Sequence, residues 1–267
     1  MSIIYENKFG NVAIDVSDKH LIINLSGGFD SALLLYMLAK TITDTGAGST
    51  IWPITVRKLG NEANNPGFDK ANPYPVVEDI IAYVREKFPL VVIKDTTPGD
   101  LTNWWNDNDT GKPYVDAQRA LVGKLLTNIT AEFPGSVPIS YTGVTKNPNF
   151  VIGEEKFTVT DELGNVTIIH RNPEKHRDVD SSPVVENTAS VIHVFPGGVH
   201  YDSFRNADKR ITMSFASEFG ILNDLLDITR SCEGRRARTN NFTTTCQESP
   251  KCWWCHEREW ALANYDK

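Results

Sequence analysis

The stretch "LSGGFDSALLL", residues 25–35, sets two glycines, an aspartate and two serines between an apolar run and a segment with the pattern of a buried helix. Upstream, HLIINL (20–25) is short, apolar and rich in β-branched residues, and it reads as a buried strand. Downstream, DSALLLYMLAKTI (30–42) is apolar nearly all round and free of Gly and Pro, which suits a helix packed against a sheet. A second strand, TIWPITV (50–56), follows a Gly-containing turn. Strand, turn, helix, strand is a βαβ unit, whose strands are expected to be parallel and joined by a right-handed crossover.

The pattern then repeats. VVEDIIAYVREKF (76–88) carries apolar residues at helical spacing and precedes the strand LVVIKD (90–95), and YVDAQRALVGKLLTNITAEF (114–133) precedes VPISYTGV (137–144) in the same way. The predicted fold class is α/β, with a mainly parallel sheet and helices on both faces. Two stretches interrupt it. Residues 96–113 are turn-rich and acidic and read as a surface loop over the sheet edge, where Trp104 and Trp105 either line a ligand site or anchor the loop by packing. Residues 155–170 alternate around a Gly-Asn turn and read as an inserted β-hairpin.

Composition bounds the function. A chain of 267 residues with 40% hydrophobic and 10% aromatic residues fills a sizeable core. The formal net charge of -7 argues against a protein that coats nucleic acid or an anionic membrane, although it leaves room for a local basic site. Nothing apolar approaches the length of a membrane span, and MSIIYENKFGNVAID lacks the order of a signal peptide, so a cytoplasmic location is expected. All four cysteines, Cys232, Cys246, Cys252 and Cys255, lie near the C-terminus, a clustering that favours a metal over disulfides in a reducing compartment.

At the carboxyl end of a parallel strand, a Gly-rich turn leading into a helix presents backbone N–H groups and the positive end of the helix dipole, which together make an anion site. Gly27 and Gly28 allow close approach of a phosphate, while Ser26 and Ser31 supply hydroxyls. The plainer reading is a strand-to-helix turn capped by Asp30 or Ser31. The chain has neither a Walker-type G-x-x-x-x-G-K-[ST] string nor G-x-G-x-x-G in this turn. The full string SGGFDS instead resembles the pyrophosphate loop of the PP-loop ATP pyrophosphatase superfamily, including the strand before it and the helix after it.

That resemblance implies an adenine nucleotide alpha hydrolase-like fold in which Ser26, Gly27, Gly28, Phe29, Asp30 and Ser31 bind ATP. The loop would hold the β and γ phosphates as a unit while a substrate oxygen attacks the α phosphorus. Asp30 and Mg²⁺ would offset charge on the departing pyrophosphate. In NADKRITMSFASEFGILNDLLDITRSC (206–232), Asp208 reads as the cap of a helix whose Ile211, Phe215 and Phe219 face the core and which Gly220 stops. Lys209 takes the place of a lysine that contacts pyrophosphate in several ligases of the superfamily, so the resemblance pairs Asp30 and Lys209 as the catalytic residues; a solvated lysine in a first helical turn is the alternative.

The threonine, serine and cysteine of TRSC, three further cysteines ending in C-x-x-C, and the charged helix of CWWCHERE are similar to the C-terminus of 7-cyano-7-deazaguanine synthases. The likeness covers the loop and residues 206–260. It implies structural Zn²⁺ on Cys232, Cys246, Cys252 and Cys255, with His256 as a reserve ligand, in an arm (228–267) appended to an α/β domain (1–227). The chain departs from that family in a longer gap between Cys232 and Cys246, in lacking Cys-Gly before the third ligand, and in carrying TGVTKNP (142–148) where G-x-N-x-x-D is expected. CWWCH also matches a haem c attachment string, but that needs export, which an N-terminal stretch without the order of a signal peptide does not lead one to expect.

The implied reaction is ATP-dependent ligation: activation of the carboxylate of 7-carboxy-7-deazaguanine, amidation by ammonia, and dehydration of the amide to the nitrile. Small-molecule substrate and ammonia are then the partners, with no membrane and no nucleic acid, and a homodimer stays open. The rival is a tRNA-modifying enzyme of the same superfamily, in which Arg235, Arg236 and Arg238 would grip phosphates. Against it, such thiolases carry a catalytic cysteine near the α/β core, and this chain has none before Cys232. A nucleotide-binding module without catalysis is the third reading, and the intact loop argues against it.

Overall fold

A computed structural model describes residues 2–59, 73–102, 112–146, 148, 156–160, 166–170, 185–195, 198–230 and 253–267. The chain opens with two strands, β1 (Ser2–Asn7) and β2 (Gly10–Asp15), paired antiparallel as a separate hairpin. Then come β3 (His20–Asn24), α1 (Phe29–Thr45), β4 (Thr50–Leu59), α2 (Tyr74–Lys87), β5 (Val92–Ile93), β6 (Thr97–Thr102), α3 (Lys112–Glu132) and β7 (Ile139–Thr142). The second half adds β8 (Lys156–Thr160), β9 (Val166–His170), β10 (Val191–Phe195), β11 (Gly198–Asp202), α4 (Arg210–Glu218), α5 (Leu222–Ile228) and α6 (Trp253–Leu262).

Seven strands form the main sheet in the order β10-β11-β7-β3-β4-β5, with β6 also on β4. Every pairing in it is parallel except β10 with β11. The protein is thus a mixed, mostly parallel sheet with helices around it. Alternation along β3 separates two apolar layers: Leu21 and Ile23 join α1 and α2 in the main core, whereas Ile22 packs with Ile54 and with Leu125 and Ile129 of α3. Because α1 is enclosed, Leu33, Leu34 and Leu35 are all fully buried at consecutive positions, as its near-uniform apolarity foretells.

The N-terminal hairpin covers part of α1 and α4. Tyr5 sets its hydroxyl 2.9 Å from Thr41 Oγ1 and meets Phe215 and Phe219 edge-on, while Asn7 Nδ2 donates to the carbonyl of Ile211 at 3.2 Å. Among the described residues, no helix is long and apolar enough to cross a membrane.

Residues 96–113, expected as a loop, are in part a strand. Thr97–Thr102 runs parallel to β4 with Thr55 opposite Pro98. Its position outside β4 explains why a proline is tolerated, since an edge strand leaves one row of N–H groups unused. A Cβ on Gly99 would collide with the Leu121 side chain of α3, so the glycine lets that helix lie on the edge. Trp104 and Trp105 lie outside the described residues. The expected strand 90–95 is reduced to Val92–Ile93; after Lys94, whose N–H donates to Ile51 at 2.9 Å, the chain moves along β4 to begin β6. β8 and β9 pair antiparallel in a sheet of their own, with Lys156 opposite His170.

At the other edge, polar side chains face one another across β7, β11 and β10. The Asp202 carboxylate accepts from His200 Nε2 at 3.2 Å, from Thr142 Oγ1, and from His193 Nε2 at 3.4 Å, while Ser140 Oγ lies 2.8 Å from His200 Nδ1. Burial pushes the Asp202 carboxyl upward, but the hydrogen bonds from His193 and His200, the charge on His200 and the bond from Thr142 outweigh it and hold the group well below the usual carboxylate range. A carboxylate depressed in the folded state contributes stability above its unfolded value, about 3.9, and that contribution is lost as pH falls through the folded value. Asp202→Asn is therefore expected to lower stability at pH 7 by about 1–3 kcal/mol, with the deficit shrinking below about pH 4. Urea midpoints of both proteins at pH 7 and pH 3 check this, and equal midpoints at pH 7 would contradict it.

Candidate functional site

The turn after β3 sits at the carboxyl end of the central strand. Leu25 N–H donates to Ile54 at 2.8 Å, and Thr55 Oγ1 donates to the Leu25 carbonyl at 2.8 Å, so β4 holds the last residue before the turn. Gly27 has φ +80°, a conformation that costs a residue with a Cβ roughly 1–2 kcal/mol. The N-cap of α1 is Gly28, extended and without a side-chain cap, rather than Asp30 or Ser31. Both of those lie inside the first turn. Among the described residues, the first N–H groups of α1 consequently have neither an intrahelical acceptor nor a capping side chain, the condition for an anion site.

The two serines have different roles. Ser31 is 5% exposed and turns its hydroxyl back onto the Gly28 carbonyl at 3.0 Å, bracing the turn from within. Ser26 is exposed, with Oγ 3.2 Å from Ser31 Oγ and 3.4 Å from the Gly28 nitrogen. Of this pair, Ser26 is the one placed to meet a ligand. Phe29 is fully buried, so its ring anchors the turn in the core and only its backbone N–H could face a ligand.

Asp30 and Lys209, far apart in sequence, are together in space. Lys209 Nζ donates to Asp30 Oδ2 at 2.6 Å, and Thr212 Oγ1 donates to Asp30 Oδ1 at 3.0 Å. The Lys209 side chain is only 5% exposed, so it is no solvated lysine. It occupies the N-cap of α4, the position expected of Asp208, which instead lies one residue earlier; the Asp208 carboxylate accepts the Arg210 backbone N–H at 3.1 Å and pairs with the Arg210 guanidinium at 2.8 Å. Gly220, with φ +70°, follows the end of α4 as expected.

Several residues of this site escape the sequence reading. Gly143, at the end of β7, lies so close to α1 that a Cβ would sit 3.0 Å from the Asp30 carbonyl group and the Ser31 nitrogen. Arg230 N–H donates to the Gly27 carbonyl at 2.8 Å, tying the end of α5 to the turn. Glu257 of α6 is fully buried, with Oε2 3.7 Å from Lys209 Nζ. Its signal was present: Glu257 shares a helix face with Ala261, four residues on and also fully buried. Asn24 Oδ1 is buried beside the turn and has no hydrogen-bond partner among the described residues.

The residues present fit a nucleotide in the turn: it has N–H groups to offer, and a lysine and an aspartate adjoin it. Asp30 is also an oxygen donor of the kind Mg²⁺ takes. Cys232, Cys246 and Cys252 lie outside the described residues, as do the side chains of Cys255 and His256 and the arginines 235, 236 and 238. Among the described residues no group of three His, Cys, Asp or Glu is arranged to hold a metal ion. Gly143→Ala is expected to lower stability by about 1–3 kcal/mol through overpacking and to displace the first turn of α1. Thermal unfolding checks this, and an unchanged melting temperature would mean that β7 yields without disturbing the turn. No model of a known protein family and no curated protein matches the chain.

Proposed function

We propose that the protein is an ATP-dependent ligase that adenylylates a carboxylate and replaces the activated oxygen with ammonia-derived nitrogen. The acid we assign is 7-carboxy-7-deazaguanine and the product 7-cyano-7-deazaguanine. The observation that carries this reading is the meeting of the SGGFDS turn with Lys209, an ammonium seated on Asp30 at 2.6 Å beside a helix start with uncapped N–H groups. The assignment of the acid rests on the cysteine-rich C-terminal sequence alone.

In the first half-reaction a substrate carboxylate oxygen bonds to the α phosphorus of ATP, the bond to the bridging oxygen breaks, and pyrophosphate leaves. The N–H groups at the start of α1, with the exposed Ser26 hydroxyl, hold the departing phosphates. Lys209 supplies positive charge where that pyrophosphate gathers negative charge. Ammonia then bonds to the acyl carbon as AMP departs, giving the amide. A second adenylylation, on the amide oxygen, makes that oxygen a leaving group, and loss of AMP and a proton yields the nitrile. Mg²⁺, when bound, neutralises charge on the phosphates and is held from the protein side by Asp30. Phe29 and Ser31 stay within the fold and keep the turn in shape for both passes.

We also assign structural Zn²⁺ to Cys232, Cys246, Cys252 and Cys255. The segment between the first and last of these is rich in Arg, Thr and Asn and poor in aliphatic residues, so thiolate ligation supplies ordering that burial does not.

Incubation with Mg²⁺, ATP, ammonium and 7-carboxy-7-deazaguanine is expected to yield AMP and pyrophosphate together with the amide and nitrile, read by mass spectrometry. Substrate-dependent ADP and orthophosphate would overturn the reading, because the turn is assigned to retain pyrophosphate as a unit. Elemental analysis is expected to find one zinc per chain. A zinc-free protein with four freely alkylated native thiols would remove the metal from the assignment.

A further inference from the structure

One helix holds Asp30 at both oxygens. Lys209, at the N-cap of α4, donates to Oδ2 at 2.6 Å, and Thr212, in the first turn of the same helix, donates to Oδ1 at 3.0 Å. The two partners differ in kind. The ammonium offsets the carboxylate's charge, whereas the hydroxyl is neutral and leaves that charge in place. Thr212 is fully buried, while the Asp30 side chain keeps 16% of its surface exposed in the first turn of α1. Nothing in the reaction proposed above uses Thr212.

A threonine inside a helix ordinarily returns its hydroxyl to a carbonyl of the preceding turn, and the Lys209 carbonyl does lie 2.9 Å from Thr212 Oγ1. That carbonyl already accepts the Met213 N–H at 3.3 Å. The hydroxyl has one proton to give, and a carboxylate is the stronger acceptor, so the proton goes to Asp30. A carboxylate oxygen carries two lone pairs. With one pair of Oδ1 committed to a neutral donor, the other stays able to meet a cation. Oδ2 is less suited to that task, because the ammonium 2.6 Å away repels a second positive charge. The two oxygens of Asp30 are therefore unequal, and Thr212 marks the one a cation approaches at lower cost.

Resting on the reading of the turn as a site for Mg²⁺-nucleotide, we propose that Thr212 is a positioning residue that fixes Asp30 Oδ1 as the oxygen meeting the cation, while Lys209 keeps Oδ2. A hydrogen bond to a ligating carboxylate sets its orientation, and loss of such an outer partner typically costs about 10–100-fold in metal affinity. Lys209 and Thr212 are three residues apart and share one face of α4. The helix thereby fixes the spacing between the charge assigned to the phosphates and the hydroxyl that aims the carboxylate. No covalent bond is made or broken, and Asp30 keeps both of its partners when the nucleotide enters.

Calorimetric titration of the full chain with ATP, once with Mg²⁺ and once with EDTA, tests this in wild-type, T212V and T212S proteins. Wild-type protein is expected to bind ATP at least about tenfold more tightly with Mg²⁺, within the range of ordinary coupling between two bound species. T212V keeps the shape and loses the hydroxyl, so that enhancement is expected to fall by about tenfold while affinity in EDTA stays near the wild-type value. T212S loses the methyl group and keeps the hydroxyl, and it is expected to retain the enhancement. A full enhancement in T212V would overturn the proposal. So would an equal loss of affinity in both buffers, or a loss in T212S as large as in T212V, since each marks a side chain needed only for packing. If T212V does not fold, Thr212→Ala decides in its place, with the same loss expected and an unchanged enhancement overturning the proposal. Equal wild-type affinity in the two buffers would overturn the proposal and leave the turn as an anion site. Absence of ATP binding by the wild-type chain in both buffers would overturn the reading of the turn itself, and the proposal with it.

Discussion

The ammonium of Lys209 is withdrawn from water, and a buried charge persists only where opposite charge and hydrogen bonds are brought to it. The acids that do so arrive on α1 and α6, while the lysine sits at the head of α4. Three elements from the beginning, the end and the region between must therefore dock before the site exists. Thr212 on α4 takes the second oxygen of Asp30, so the same helix fixes both sides of that carboxylate. Arg210, beside Lys209, adds a layer further out, with its guanidinium over the rings of Phe9 and Trp260 at 4.8 and 5.0 Å. The N-terminal hairpin and the C-terminal helix thus meet on the helix that carries the lysine.

What was legible in the sequence follows from which contacts are local. HLIINL reads as a buried strand because both faces of a central parallel strand are covered, and an unbroken apolar run is the result. The SGGFDS turn reads as a candidate site because its glycines, aspartate and serines are contiguous. TPGDLT does not read as a strand, since its Pro and Gly are the residues that an edge position and a close helix permit and that propensity counts against. The runs VIHVF and GVHYD, joined by Pro-Gly, carry a hairpin signal of the usual kind that the search for βαβ units passes over. In the same way SIIYEN and GNVAID pair across the two-residue link Lys8-Phe9, with Asn7 opposite Gly10.

The site itself was half legible. Asp30 and Lys209 can be picked out by the strings around them, but their 2.6 Å contact depends on how α4 crosses α1, which no short-range pattern encodes. Gly143 is invisible for the same reason: its lack of a side chain matters only because the start of α1 is 3.0 Å from where a Cβ would stand. Glu257 differs, since a charge on the buried face of an amphipathic helix conflicts with burial and thereby marks a partner elsewhere in the chain. Such conflicts concentrate where a protein does chemistry, and here the conflict and the turn converge on one lysine.

The whole-chain charge of -7 gives a polyphosphate no long-range reason to approach. At physiological ionic strength the field of distant surface charges is screened beyond about 8 Å, so recognition falls to the groups at the turn. Among the described residues those groups are the Lys209 ammonium and the positive end of α1, with the Asp30 and Glu257 carboxylates beside the lysine. What the turn itself offers an anion is geometry: N–H directions set by Gly27 and Gly28 and a hydroxyl that Ser26 keeps at the surface, both fixed by the fold where long arginine side chains would first have to be ordered.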